Sequence, residues 1–509
     1  MCSFNHLKGQ KGDSGSLNDL KNFKEEIKKF KEENQNEIRA IKQQNNKELE
    51  DYRAQVNREL AAFLKEDWKE FPKNEAIAPP FKPEPLNLPK ALPPALPQPD
   101  IHSLPLVNTD SIISSKKSIS EGNTDKERQP LATDLNHGID TQNKNKENQH
   151  PFSTLDQSIQ FDFYGDLLTV LYSQGMVIHC NSPTEKGVSE FWSAMAAQDY
   201  PVFQEQLNFI AGAYSLNDWG RYQLIKKISE RLFKDKNDQR CFQFFYLNQM
   251  NFDARLAKSE EHLLLLLPFK EMVYGLSYLN LGGKRFFIMD EAQGAIYTFN
   301  KVLVKDESLF SLQMPEKLNL KPNISRKTYT LKNGKSLSIQ YNLNDILFYN
   351  DYPQADLSVF FNAQTSTQAE TSLLEELRPL VKGINELDAV NFLLEFVYRN
   401  FPYKTDQDQF GKEKWFFLED QVHYPYSDCE DRSVFFSFLV KNLLNLKVVG
   451  LNYPGHVAAA VSFNGYVNGD AILYKSERYI IADPTYIGAK AGMCMPHLKD
   501  ISPKIVEMY

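Results

Sequence analysis

The sequence predicts an α+β protein whose packed part lies in the C-terminal two thirds, and three observations carry that prediction. The stretch from about Leu17 to Phe71 is dominated by Lys, Glu, Gln and Asn, and a proline-rich stretch follows it. Aromatic and branched residues become dense only after about Phe161, where runs with helical spacing lead into short strand-like runs. At 509 residues the chain is too long for one ordinary core. Five regions are expected: a long helix or coiled coil over 16–71, a Pro-rich and disordered linker over 72–158, a helix-and-strand region over 159–297, a β-rich segment over 298–366, and a second helix-and-strand region over 367–509.

Ser16 and Asp19 resemble a helix-opening capping box. Apolar positions then run Ile27, Phe30, Ile38, Ile41, Leu49, Tyr52, Val56, Leu60 and Phe63, with Asn34 and Asn45 in the gaps. Steps of 3, 4 and 4 make an eleven-residue period, which keeps one face apolar along a nearly straight helix or a slightly right-handed coiled coil. Self-association through this stripe is one reading and a single solvated helix the other. From Pro72 the run FPKNEAIAPPFKPEPLNLPKALPPALPQP favours an extended polyproline spacer, and about 107–152 holds too few apolar anchors to order itself.

The packed part is expected to begin near Ile159. SEFWSAMAAQ, FQEQLNFIAGAY and WGRYQLIKKISERLF read as helices, and the LLLLL run at Leu263 to Leu267 as a buried strand. KTYTLKNGKSLSIQYN alternates, and Asn333-Gly334 reads as its hairpin turn. The helical run SLLEELRPLVKGINELDAVNFLLEFVYRNF precedes YPYSDCEDRSVFF, and three strand-like runs close the chain: LKVVGLNY, HVAAAVSF and YIIADPT.

A net charge of −8 with interleaved Lys and Glu offers no basic stripe, so nucleic acid is not an expected partner. No segment reaches the roughly 18 apolar residues of a membrane span. The start MCSFNHLKGQKGDSG has no apolar h-region. The compartment is left open: cytoplasmic by default, exported or periplasmic if the N-terminus is truncated. Cys2, Cys180, Cys241, Cys429 and Cys494 are odd in number and lack CxxC or metal-ligand spacing, so no disulfide framework, zinc site or cofactor is expected. A calcium loop of DxDxDG type, a P-loop, a GxGxxG turn and a paired-His motif are all missing.

Chemistry is expected at Cys429. A thiol nucleophile needs a base for its proton and a third group to orient that base. Cys429 stands at the start of the apolar helix SVFFSFLVKNLL, where the helix dipole and unpaired N–H groups favour thiolate and can bind an oxyanion. His456 opens HVAAAVSF after a Pro-Gly turn, and Asp483 ends YIIAD before Pro484. The three are evenly spaced, 27 residues apart, with room for one helix and strand and then one hairpin. Adjacent antiparallel strands that begin with His and end with Asp bring both side chains to one end of a sheet, so a Cys-His-Asp triad is geometrically allowed.

SDCEDRS, PGHVAAAV and IIADPTYIG resemble the transglutaminase-like superfamily, a branch of the papain-like cysteine enzymes, and NFPYKTDQDQFGKEKWFFLEDQVHYPYSDCEDRS is similar to its bacterial members. The likeness covers about Thr371 to Pro503. It implies a papain/transglutaminase-like domain at the C-terminus with Cys429 as nucleophile, His456 as general base and then acid, and Asp483 as the orienting carboxylate. The family also places a side-chain donor in its oxyanion hole, for which Gln421 and Trp415 are the candidates. The implied function is thiol-dependent acyl transfer on peptide or glutamine amide bonds, with a protein or peptide substrate and with hydrolysis favoured over cross-linking. A non-catalytic binding or scaffold protein is the alternative from another class.

A second copy is expected upstream. At a constant offset of 194, Phe242 aligns with Phe436 and His262 with His456, Asp290 falls one residue from the partner of Asp483, and the nucleophile position falls on Asp235. The region from about Phe161 to Tyr297 therefore reads as a degenerate transglutaminase-like repeat without its thiol, with Cys241 inside its helix.

Overall fold

In the computed structural model the described residues are 28–29, 44–45, 47–79, 152, 154–301 and 309–509. They form a mixed α+β protein organised on two antiparallel sheets. The first has six strands in the spatial order Lys69–Phe71, Ile296–Thr298, Arg255–Ser259, His262–Pro268, Lys284–Ile288 and Tyr278–Leu281. The second has five, in the order Lys504–Glu507, Lys447–Tyr453, His456–Ser462, Glu477–Ala482 and Ala471–Tyr474. Past the extra strand Lys69–Phe71, the two orders follow one plan. A tight hairpin occupies the middle, the following hairpin adds to one side in reversed order, and a later strand closes the other side.

A helix precedes each middle hairpin and packs on its second strand: Lys236–Gln249 in the first case and Cys429–Leu439 in the second. Both sheets are apolar on both faces, which explains their continuous hydrophobic runs. Leu263, Leu265 and Leu267 face the large helical core while Leu264 and Leu266 face a separate cluster with Phe286 and Ile288. Val457, Ala459 and Val461 face the same large core, and Ala458 and Ala460 meet Leu451, Tyr479 and Ile481 on the far side. Each buried leucine of the LLLLL run contributes about 2 kcal/mol, an upper bound because unfolded chains bury some surface too. Gly450 is required where it stands, since a Cβ there would lie 2.8 Å from the ring of Phe361.

Helices form where helical spacing was read: Glu185–Ala196, Tyr200–Ala213, Asp218–Leu232, Thr367–Val381 and Glu386–Asn400. Their starts are fixed by side-chain caps, such as Thr184 accepting from Gly187 N and Asn385 from Asp388 N. The Asn333-Gly334 turn joins Ile324–Thr330 to Ser336–Asn342, with Gly334 at φ +81°.

Two regional expectations need correction. Among its described residues, the segment 298–366 is not generally β-rich: past the end of Ile296–Thr298 it holds that one hairpin and then the helices Leu343–Asn350 and Leu357–Phe361. The side chain of Asn342 accepts from Asn344 N and starts the first of these helices just where the strand ends. The N-terminal helix does not run to 71. It ends at 64, and Lys69–Phe71 then pairs with Ile296–Thr298 as a sheet edge.

The end of that helix is part of the core, where Ala61, Phe63, Leu64 and Trp68 are buried. Asn57 accepts from the Trp192 indole at 3.1 Å and donates to Tyr200 Oη at 3.1 Å, and Ser189 Oγ donates to Ala61 O. Leu49, Tyr52 and Val56, earlier on the same stripe, are exposed. About half of the expected stalk and most of the linker lie outside the described residues.

Candidate active site

Asp428 is the N-cap of Cys429–Leu439, so Cys429 occupies the first helical position. Asp428 N donates to Asp431 Oδ2 at 3.2 Å, while Phe416 N donates to Asp431 Oδ1 at 3.0 Å and ties the cap to the preceding chain. The whole first turn is buried: Cys429, Glu430, Asp431 and Arg432 are each at most 2% exposed. Ser433 Oγ lies 2.7 Å from Cys429 O and 3.0 Å from Val457 O, which fastens that turn to the strand carrying His456.

Tyr453 and His456 face each other across the Pro454-Gly455 turn, where Gly455 has φ +73°. Ala459 is paired with Ala482, so the residue after Ala482 emerges beside the start of the histidine strand. That register brings His456 Nε2 to 2.8 Å from Asp483 Oδ2. The other oxygen of Asp483 accepts from Thr485 N at 2.8 Å and Tyr486 N at 3.3 Å, which fixes the carboxylate with its charge aimed at the imidazole.

Cys429 shares the imidazole. Burial alone would pull His456 below its usual value, but the charge and hydrogen bond of Asp483, followed by the hydrogen bond and charge of Cys429, override burial and raise it to about 10. With Nε2 on Asp483, Nδ1 is the nitrogen available to the thiol. The Cys429 Sγ also donates to Glu430 Oε2 at 3.1 Å, a local acceptor that competes for the proton the imidazole would take. His456 and Asp483 are thus bonded, and Cys429 is near enough to act on the same ring.

Gln421 lies within the helix Leu418–His423 and is 1% exposed. Its Nε2 donates to Ser427 Oγ at 3.0 Å, two residues before Cys429, and its Oε1 has no hydrogen-bond partner among the described residues. Trp415 is buried in an aromatic cluster, with ring centroids 5.7 Å from Tyr274 and 5.6 Å from Phe360.

Arg432 is a participant that the sequence reading missed. It follows Cys429 by three residues and so shares its helix face. The guanidinium donates to Phe401 O and lies 5.2 Å from the ring of Tyr403. Burial lowers it to about 10, against the pull of Tyr403, Asp428, Asp483 and Cys429. The buried cation thus interacts through its charge with both the thiol and the orienting carboxylate. Its spacing from Cys429 on a helix without a polar face was the available signal.

Two sets of carboxylates could hold a cation: Asp406 with Glu413 and Glu430, and Asp406 with Asp428 and Asp431, each with oxygens within 4.8 Å of one another. All-oxygen donors suit a hard cation of the calcium or magnesium type. Because the donors come from separate segments, no contiguous loop motif announces them. Asp406 Oδ2 also accepts from Lys414 N at 2.8 Å.

The equivalent place in the first sheet is built differently. Asp235, expected at the nucleophile position, is the helix cap, with Oδ1 accepting from Asn237 N at 2.7 Å and Asp238 N at 3.2 Å. Matching cap to cap sets Asp235 against Asp428 and the exposed Lys236 against Cys429. Asp290 accepts from Arg240 Nε at 2.9 Å and Leu265 N at 3.0 Å, and His262 is exposed at its hairpin. Set against protein-family models, curated proteins and solved structures, the chain matches none of them.

Proposed function

We propose that the chain is a thiol-dependent acyl-transfer enzyme of the transglutaminase-like superfamily, acting on peptide or glutamine amide bonds and favouring water as acceptor. The observation that carries this reading is the 2.8 Å bond from Asp483 to His456, on an imidazole that also meets a thiol at a helix start. A histidine held charged up to about pH 10 is the counter-ion that a thiolate needs.

In this reading Cys429 Sγ attacks the carbonyl carbon, and the backbone at the helix start, beginning with the Cys429 N–H, receives the oxyanion. Gln421 is the side-chain candidate for a second donor, once its amide turns from Ser427. The imidazolium of His456 protonates the departing amine and leaves a thioester on Cys429. Water activated by the neutral imidazole then releases the acid, whereas a lysine amine in its place would give a cross-link. The backbone N–H groups of Thr485 and Tyr486 hold the orienting carboxylate in place throughout. We read the first sheet with its helix as a degenerate copy of the same unit, on the strength of the common strand order and helix placement.

Alkylation near neutral pH with peptide mapping tests the activated thiol. Cys494 is an internal control, since burial and the charge of Asp470 push it up to about 11. Cys429 should react on the order of 100-fold faster than Cys494; equal rates in the folded protein would remove the reading. Incubation with a labelled amine and a glutamine-containing protein then separates the acceptors, and stoichiometric amine incorporation would replace hydrolysis by cross-linking. A Cys429→Ala protein that keeps its full biological effect would favour the binding or scaffold alternative.

A further inference from the structure

The start of the helix Lys236–Gln249 holds a second sulfur centre, separate from the candidate active site. Asp238, 3% exposed, takes the preceding chain with both oxygens: Cys180 N donates to Oδ1 at 2.7 Å, and His179 Nδ1 lies 2.6 Å from Oδ2. Asp238 and Cys241 are three residues apart on one helix face. The segment pinned on Asp238 therefore lays Cys180 beside Cys241, close enough for each thiol to act on the other.

The two sulfurs differ in a way that assigns them roles. Cys180 is half-buried, and its Sγ lies 3.0 Å from Ser182 O, whereas Cys241 is fully enclosed. The hydrogen bond from Cys241 draws the Cys180 thiol below its ordinary value despite burial, while burial lifts Cys241 well above. A more acidic, reachable thiol backed by a buried one is the arrangement that passes from sulfenic acid to disulfide.

We propose that Cys180 and Cys241 form an oxidisable pair that a hydroperoxide converts to a disulfide. The Cys180 thiolate attacks one peroxide oxygen, the O–O bond breaks, and the departing hydroxide or alkoxide takes a proton from solvent. Cys180 becomes a sulfenic acid, a two-electron oxidation of its sulfur. The Cys241 sulfur then attacks the Cys180 sulfur, the S–O bond breaks, and hydroxide leaves with the Cys241 proton as water. The resulting bridge staples the chain ahead of the helix Glu185–Ala196 to the helix Lys236–Gln249. It narrows the unfolded ensemble, because the two cysteines are far apart along the chain. The proposal does not depend on the acyl-transfer reading, since neither sulfur belongs to that site.

The test treats the full chain with a few equivalents of hydrogen peroxide at neutral pH, blocks free thiols, digests without reductant and maps the peptides by mass. The expected product is one cross-linked pair containing Cys180 and Cys241, two hydrogens lighter than its separate parts and released by dithiothreitol. A higher melting temperature of the oxidised chain should accompany it. In Cys241→Ser, dimedone should label Cys180 about tenfold more than in the native chain, since the resolving sulfur is gone. Recovery of both cysteines as blocked thiols, or of Cys180 as sulfinic acid beside a free Cys241 in the native chain, would overturn the proposal. The native-chain measurement stands even if the variant fails to fold.

Discussion

The two sheets share strand order and helix placement, yet only the second brings the histidine that opens its middle hairpin's second strand to the aspartate at its neighbouring strand end, and the reason lies in a few side chains. Five residues beyond the helix cap the first has Arg240 and the second Ser433. Arg240 reaches across to Asp290 and neutralises it, whereas Ser433 stops at the backbone oxygens of Cys429 and Val457. Asp483 is thereby left to His456, and Asp290 is not left to His262. The turn residues reinforce the contrast: Glu260 and Glu261 leave His262 exposed, while Pro454 and Gly455 fold His456 in. The shared scaffold supplies the meeting point, and the occupant of one helical position decides what the aspartate holds.

The sharpest break of this comparison removes the same carboxyl charge from each place. Asp483→Asn should cut turnover, or the alkylation rate of Cys429, on the order of 10³-fold, because the imidazole loses its orienting charge. Asp290→Asn should leave that rate within about twofold, yet cost about 2–4 kcal/mol in urea unfolding, since it strands the 6% exposed Arg240. If both variants changed the rate alike, the division of labour between the sheets would fail.

Much of this plan was legible because strand ends and helix starts leave local marks. His456 after Pro-Gly and Asp483 before Pro484 announce the ends of neighbouring strands, and register then forces their side chains to one edge. The LLLLL run reads as a strand buried on both faces for the same local reason. What stayed hidden is tertiary. Lys69–Phe71 has no strand-like alternation and is a strand only because Ile296–Thr298 offers an edge. Leu343–Asn350 follows an alternating strand so closely that only the Asn342 cap separates them. Asp406 and Glu413 meet the acids flanking Cys429 through the turn of the chain, which no spacing rule encodes. Arg432 looks like a solvated helix residue until the helix is found to be buried all round.

A smaller effect sharpens the electrostatic side of the comparison. His456 binds its proton more tightly in the folded chain, at about 10, than an unfolded histidine does near 6.5. The sign follows from linkage: the stabilisation is fully present below about pH 6.5 and is lost as pH rises through about 10. Urea unfolding of the native chain at pH 7 and pH 10 should therefore differ by on the order of 2 kcal/mol more than the same pair of measurements on Asp483→Asn. Equal pH dependence in the two proteins would mean that Asp483 is not what holds the proton on His456.

The smallest expected effect bears on the position that separates the two sheets. Ser433→Ala removes the hydroxyl between the cysteine turn and the histidine strand, and one such bond contributes about 1 kcal/mol. Cys429 O is four residues back along the same helix and keeps the backbone N–H of Ser433 as a partner. The global loss should therefore stay near 1 kcal/mol. The local consequence is larger in proportion, because the hydroxyl is the direct polar tie between the turn carrying the sulfur and the strand carrying the imidazole. Alkylation of Cys429 should slow a few-fold while the Asp483-dependent pH response is unchanged, since Ser433 touches neither oxygen of Asp483. A loss of that pH response in Ser433→Ala would show that the serine positions the histidine itself, and the contrast with Arg240 would then rest on orientation rather than on the space its small side chain leaves.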